Sequence, residues 1–232
     1  MSKFLTNGQR IMDWLVKCAR WVGFLIFYLF DSFLLGLATD MVKHGQPGQV
    51  NQFIGLTLIV AALVLGVITW RYQRQLAANN PRHFGKQPLN AKRLWQLLGL
   101  FALMMAVQFT WNYLIHIHVL SSPVNQALID KQVVQLPLWN LAYSILFAPV
   151  IEELIFRGIF LNYFFKKDTR LMNFLGVLIS GTIFGALHVP SLSMTWLMYS
   201  TLGWILGFTY LHFRDIRYNM ALHFLNNAMS LL

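Results

Sequence analysis

The chain has 232 residues, 57% of them hydrophobic and only 11% charged, with a formal net charge of +10. Soluble domains carry about 25% charged residues, so this composition excludes an ordinary soluble protein and fits one integral-membrane domain of helical spans. The excess of base would suggest nucleic acid in a soluble chain; here its confinement to loops assigns it to membrane orientation, with lipid as a partner and no nucleic acid.

Met1–Arg20 reads as a basic, amphipathic interfacial segment with Trp14. Its charges and the apolar run behind it imitate a signal peptide, but Asp31 interrupts that run and a retained first helix is expected. Lone Cys18 excludes an intrachain disulfide and a Cys-based metal cluster. The integral domain is residues 21–232. Its first span is Trp21–Ala38, with Asp31 expected to face a neighbouring helix or a polar cavity. A loop at Asp40–Gln52 and an uncharged span, Phe53–Trp70, follow. Arg71–Arg93 is basic, without an acid, and broken by Pro81 and Pro88. Trp95–Ile117 is the third span; its His116 and His118, two apart, point to opposite sides of a helix and read as interfacial. A polar loop, Ser121–Pro137, leads to Leu138–Phe165. The remaining spans are Leu171–His188, Met194–Phe213 and Tyr218–Leu232. The fold expected is an all-α polytopic bundle of about seven transmembrane helices. With the N-terminus in the cytoplasm, the N-terminal segment (Lys3, Arg10, Lys17 and Arg20) and the even-numbered loops together collect nearly all the basic residues, against Lys43 and Lys131 outside and Arg157 within the membrane.

Glu152 and Glu153 are the only glutamates of the chain, and they sit side by side in the fourth span. A charge at bilayer depth costs several kcal/mol or more and is kept only when paired or wetted. Glu153 and Arg157 are spaced i, i+4 with the acid first, the favourable order for a helical ion pair. Glu152 is turned about 100° away and has no partner at that spacing, which leaves it to face a cavity as a general base. Pro149, just before the acids, is expected to kink the helix. Phe184 and His188 share one face of the fifth helix, and His223 and Asn227 one face of the last.

These three patterns, Glu-Glu-x-x-x-Arg, Phe-x-x-x-His and His-x-x-x-Asn, in this order over about residues 139–232, resemble the CPBP intramembrane proteases. That family groups the CAAX prenyl proteases of the Ras-converting type with bacteriocin-processing and immunity ("Abi") proteins. The resemblance implies an endopeptidase acting on membrane-associated peptides or proteins. In it Glu152 and His188 activate a water, His223 and Asn227 stabilise the oxyanion, and Glu153, Arg157 and Phe184 support the site. One carboxylate, two imidazoles and a carboxamide are the groups peptide hydrolysis requires. Glu152, His188 and His223 would also make a zinc set, and that alternative stays open. A liganding Glu152 could not serve freely as base, however, so the expectation leans to no cofactor.

Two rivals remain: a secondary transporter, with Glu152, Asp31 and the histidines along a proton or substrate path, and a catalytically idle scaffold or immunity partner. The constellation also poses a geometric problem. At 1.5 Å per residue Glu152 lies about 20 Å from either end of its span, whereas His188 falls near the outer end of its helix and His223 near the inner end. Straight vertical helices would not join them; tilt, a broken helix or a large cavity is required.

Overall fold

The structure, a computed structural model, describes residues 7–121 and 124–230. Lys3 and the rest of the first six residues, Ser122 and Pro123 of the polar loop, and Leu231 and Leu232 of the last span lie outside the described residues. Those described form helices α1 (Asn7–Lys43), α2 (Pro47–Ala78), α3 (Ala91–His116), α4 (Val124–Gln135), α5 (residues 137–164), α6 (Arg170–His188), α7 (Met194–Phe213) and α8 (Ile216–Ser230), with no strand among them. By length and composition, 4 of these helices can cross a membrane: α1, α2, α3 and α6. The protein is an all-α membrane bundle, as its composition implies.

Four boundaries differ from expectation, each for a local reason. The second span does not end at Trp70: α2 continues to Ala78, into the expected Arg71–Arg93 loop, because no proline interrupts it before Pro81. The lead-in and first span form one helix, because no proline interrupts Asn7–Lys43. The loop expected at Asp40–Gln52 contracts to a turn at Gly45 (φ 68°), since proline is compatible with a first helical turn and α2 begins at Pro47. The polar loop after α3 contains α4, whose mixed sequence carries no strong periodicity. Side-chain caps mark other starts as the residue types suggest. Asn90, Thr169 and Ser193 accept from the backbone N–H three residues on.

Helix α5 is the centre of the bundle, and every residue from Ile151 to Tyr163 is buried. Helices α1, α2, α6 and α8 pack around it. It is not uniformly wound. An α-helical turn, Ala148–Glu153, is set between π-helical stretches Tyr143–Phe147 and Leu154–Leu161. In the first of these the Ala148 N–H reaches back to the Tyr143 carbonyl. The irregularity expected at Pro149 thus takes the form of a widened turn just before it. Such turns insert a residue, re-aim the side chains beyond them and recur at functional sites.

Helices α6 and α7 pack closely through small residues. A Cβ on Gly181 would come within 2.6 Å of the Trp204 nitrogen, and one on Gly185 within 2.8 Å of the Ser200 nitrogen. Gly181-x-x-x-Gly185 is the small-xxx-small spacing by which membrane helices approach. At the basic end, the 79–90 segment is fastened to the α7–α8 turn. Gly85 N–H donates to the Arg214 carbonyl (2.9 Å), and Tyr218 donates to the Pro88 carbonyl (2.7 Å). Phe84 stacks on Tyr210 with centroids 4.4 Å apart.

Candidate active site

Glu153 is the hub of the site's buried side. It is 0% exposed, as is Arg157. Its Oε1 accepts from Arg157 Nη1 at 3.0 Å and from His223 Nδ1 at 2.8 Å, while Oε2 accepts from the Asn219 amide. The i, i+4 ion pair read from the spacing is present. Arg157 is held further by the Gly203 carbonyl (2.8 Å) and by the faces of Phe184 and Phe156, 4.9 and 5.8 Å from its guanidinium carbon. These additional bonds offset part of the cost of burying two opposite charges in low dielectric, and the Arg157 Nε is left without a hydrogen-bond partner among the described residues.

Glu152 is the acid on the other side. It has no partner on its own helix, as expected, but α1 supplies one: the Tyr28 hydroxyl donates to Oε1 at 2.5 Å. Its Oε2 lies 3.7 Å from His223 Nε2. A carboxylate only accepts, so His223 carries a proton on Nδ1 towards Glu153, and Nε2 is the nitrogen that faces Glu152. The same reasoning fixes His188. Its Nδ1 donates to the Phe184 carbonyl at 2.9 Å, which leaves Nε2 as the basic nitrogen. His188 stacks on Tyr199 (4.8 Å) and packs at a tilt on Phe184 (4.4 Å), and Phe184 also meets the His223 ring edge-on at 5.8 Å. Phe184 is therefore a spacer between the two imidazoles.

All of these face one cavity of about 380 Å³, lined by Glu152, His188, His223 and Asn227 together with Tyr28, Ser32, Gln108 and Ser144. Residues of α4 and the N-terminal part of α7 complete it. It therefore extends towards the end of the bundle away from the basic loops. The cavity resolves the depth mismatch: His188 stays at the end of α6, and open space extends from it inward to Glu152. Asn227 donates to the Ser144 carbonyl (2.9 Å) in the first π-helical stretch and accepts from Asn226, which itself accepts from Gln108 of α3 (2.5 Å). Asp31 is buried beside this region, as expected, and accepts from Tyr143 at 3.0 Å. His116 and His118 are exposed and do not line it.

The grouping differs from the expected one in a single respect. His223, rather than His188, is the imidazole nearest Glu152. Glu152, His188 and His223 also do not fit a zinc ion in this arrangement. His188 is set apart by Phe184, and no three His, Cys, Asp or Glu among the described residues converge as ligands. Tyr28, Asn219 and Gln108 were not singled out from the sequence. Asn219 had a signal, since Asn219, His223 and Asn227 follow one another at four-residue spacing along a single helical face.

Fold and site together define a polytopic all-α membrane protein with a buried acid–imidazole–amide cluster at the wall of a cavity. Residues 134–229 match the family model described as Type II CAAX prenyl endopeptidase Rce1-like. A relative named "Putative membrane peptidase YdiL", from Bacillus subtilis (strain 168), is 25% identical over 193 residues, 81% of this chain and 76% of the relative. The resemblance to the CPBP/CAAX protease family, read from the three motifs, is thus shown over the C-terminal region. No solved structure matches the chain.

Proposed function

We propose that the chain is a membrane-embedded endopeptidase in which Glu152 activates a water against a peptide carbonyl. One observation carries this reading. Glu152 lines the cavity with one oxygen engaged by Tyr28 and the other turned to an imidazole, while its neighbour Glu153 is consumed by structural bonds. The family match and the peptidase relative support the reaction class.

In the mechanism, the water oxygen bonds to the carbonyl carbon as Glu152, with His188 Nε2 across the cavity, takes its proton. The oxyanion is met by the Asn227 amide and by His223, whose Nε2, 3.7 Å from Glu152 Oε2, takes over the proton held by Glu152 and presents it as an N–H donor. Collapse breaks the C–N bond, and the stored proton passes to the leaving nitrogen, giving a carboxylic acid and an amine. Glu153 and Arg157 orient His223, and Phe184 spaces the imidazoles. General acid–base assistance of this kind contributes about 10²- to 10⁴-fold. No step passes through a metal. Substrates are peptides or membrane-protein segments that reach the cavity, with bacteriocin processing or self-immunity as roles. The positive-inside bias of the loops supports a cytoplasmic N-terminus, with His188 and the α4 wall of the cavity towards the opposite side.

Comparing peptides released from membranes that hold the wild type or Glu152→Gln at equal abundance tests the reading. Products dependent on Glu152 are expected; identical peptide patterns would overturn it and favour an idle scaffold. Substrate flux in proteoliposomes tests transport. Cleavage by the purified protein is expected to survive a chelator, and a zinc-restored activity would overturn the metal-free mechanism.

A further inference from the structure

At the basic end of the bundle, away from the cavity, two guanidinium groups from different helices converge on one uncharged hydroxyl. Arg20 of α1 donates through Nη1 (3.2 Å) and Arg71 of α2 through Nε (2.7 Å) to the Tyr163 hydroxyl at the end of α5. Arg71 also lies 5.5 Å from the Tyr163 ring centroid. No carboxylate pairs with either arginine among the described residues. Lys17, one helical turn before Arg20, and Lys166, just past α5, lie beside each other; burial and the Lys17 ammonium both lower the Lys166 pKa. Asp13, bonded to Lys17, is the single acid in this group. Trp14 meets Phe164 edge-on at 6.5 Å, and Trp21 packs on Phe160 at 5.0 Å, so aromatic rings border the cluster.

Like charges brought together by three separate helices repel one another unless an anion joins them. Each arginine spends one of its five N–H donors on Tyr163, and a phosphate group can accept from the rest. A basic cluster where α1, α2 and the end of α5 meet, bordered by aromatic rings, matches the requirements of a phosphate joined to acyl chains. A soluble protein's acidic segment would not exploit the aromatic border.

We propose that Arg20, Arg71, Lys17 and Lys166, arranged around Tyr163, form a binding site for the phosphate of an anionic lipid. The site clamps the N-terminal part of α1 to α2 and α5, and it is independent of the protease reading.

The test uses the full chain purified in phosphatidylcholine bilayers containing phosphatidylglycerol, with retained lipid counted by native mass spectrometry. The wild type is expected to hold phosphatidylglycerol in preference to phosphatidylcholine, and Arg20→Gln/Arg71→Gln to weaken that preference about tenfold. Lys86→Gln/Lys92→Gln removes the same charge from the same end and is expected to change it less than about twofold. Equal losses in both variants would reduce the effect to diffuse surface charge and overturn the site. Inorganic phosphate that binds as tightly as the lipid would make it a soluble-anion site and overturn the lipid assignment. If the double variant does not fold, the exposed Arg20→Gln and Tyr163→Phe are read instead. Each is expected to weaken the preference, and no change in either overturns the proposal.

Discussion

His223 Nδ1 lies 2.8 Å from Glu153 Oε1, the same oxygen that accepts from Arg157 Nη1 at 3.0 Å. One carboxylate thus neutralises the buried guanidinium and sets the imidazole tautomer, and the neighbouring glutamate is left at the cavity wall. The two acids should fail differently. Glu153→Gln leaves Arg157 fully buried without its counter-charge, a loss of about 3–5 kcal/mol, and should lower both folded yield and the thermal midpoint in detergent. Glu152→Gln keeps that pair and should melt close to the wild type while losing cleavage. Equal melting of the two variants would refute the division of labour.

Tyr28 is predicted to position Glu152. Its hydroxyl reaches Oε1 at 2.5 Å, and the ring packs among Leu35, Tyr143 and Trp139 and their neighbours. Tyr28→Phe removes the hydroxyl and keeps the ring. A hydrogen bond to a charged group is worth about 1.5–3 kcal/mol, so kcat should fall about tenfold to a hundredfold with KM and thermal midpoint nearly unchanged. A rise in KM at constant kcat would instead place Tyr28 in substrate binding.

What could be read in the sequence depended on the range of the interaction. The apolar runs and the Glu153–Arg157 spacing are local, and helices α6, α7 and the ion pair fell where periodicity put them. Tyr28 is 124 residues from Glu152, and nothing in the composition of α1 separates it from an interfacial tyrosine. The π-helical stretches of α5 leave no compositional mark, yet they shift the register of the residues that follow them, Glu152 included, relative to a regular helix. The depth mismatch between Glu152, His188 and His223 was itself legible, and its resolution, a cavity completed by α1, α3 and α4, was not. Gly181-x-x-x-Gly185 was available and is explained only once α7 is seen against it.

That contact yields a third prediction. Gly203 faces Gly181 so closely that a Cβ on it would lie 2.8 Å from the Gly181 Cα, and its carbonyl also holds Arg157 Nη2. Gly203→Ala and Gly181→Ala should each destabilise by about 1–3 kcal/mol through overpacking, and Gly203→Ala should cost activity as well by shifting Arg157. Gly55 and Gly66 have nothing within 4 Å of a built Cβ. Alanine there should be neutral or stabilising by up to about 1 kcal/mol. Thermal midpoints of the four variants in one detergent decide the comparison.

The connections outside the spans predict the response to acid. Asp168 is held below the ordinary carboxylate value of 3.8 first by the Asn173 amide and then by the Arg214 guanidinium, against its partial burial. Burial pushes Asp215 up, but the Arg217 guanidinium and the backbone N–H groups of Gln87 and Arg217 outweigh it and leave its pKa lowered too. A folded-state pKa below the unfolded one stabilises the fold at pH values above the unfolded pKa, and that contribution disappears as pH falls through the folded value. These carboxylates should therefore hold the α7–α8 turn and the 79–90 segment fully at neutral pH and release them below about pH 4. Asp215→Asn should melt below the wild type at pH 7, and the two midpoints should converge as the pH is lowered. A gap that stays constant down to pH 3 would mean that Asp215 acts through packing rather than through its charge.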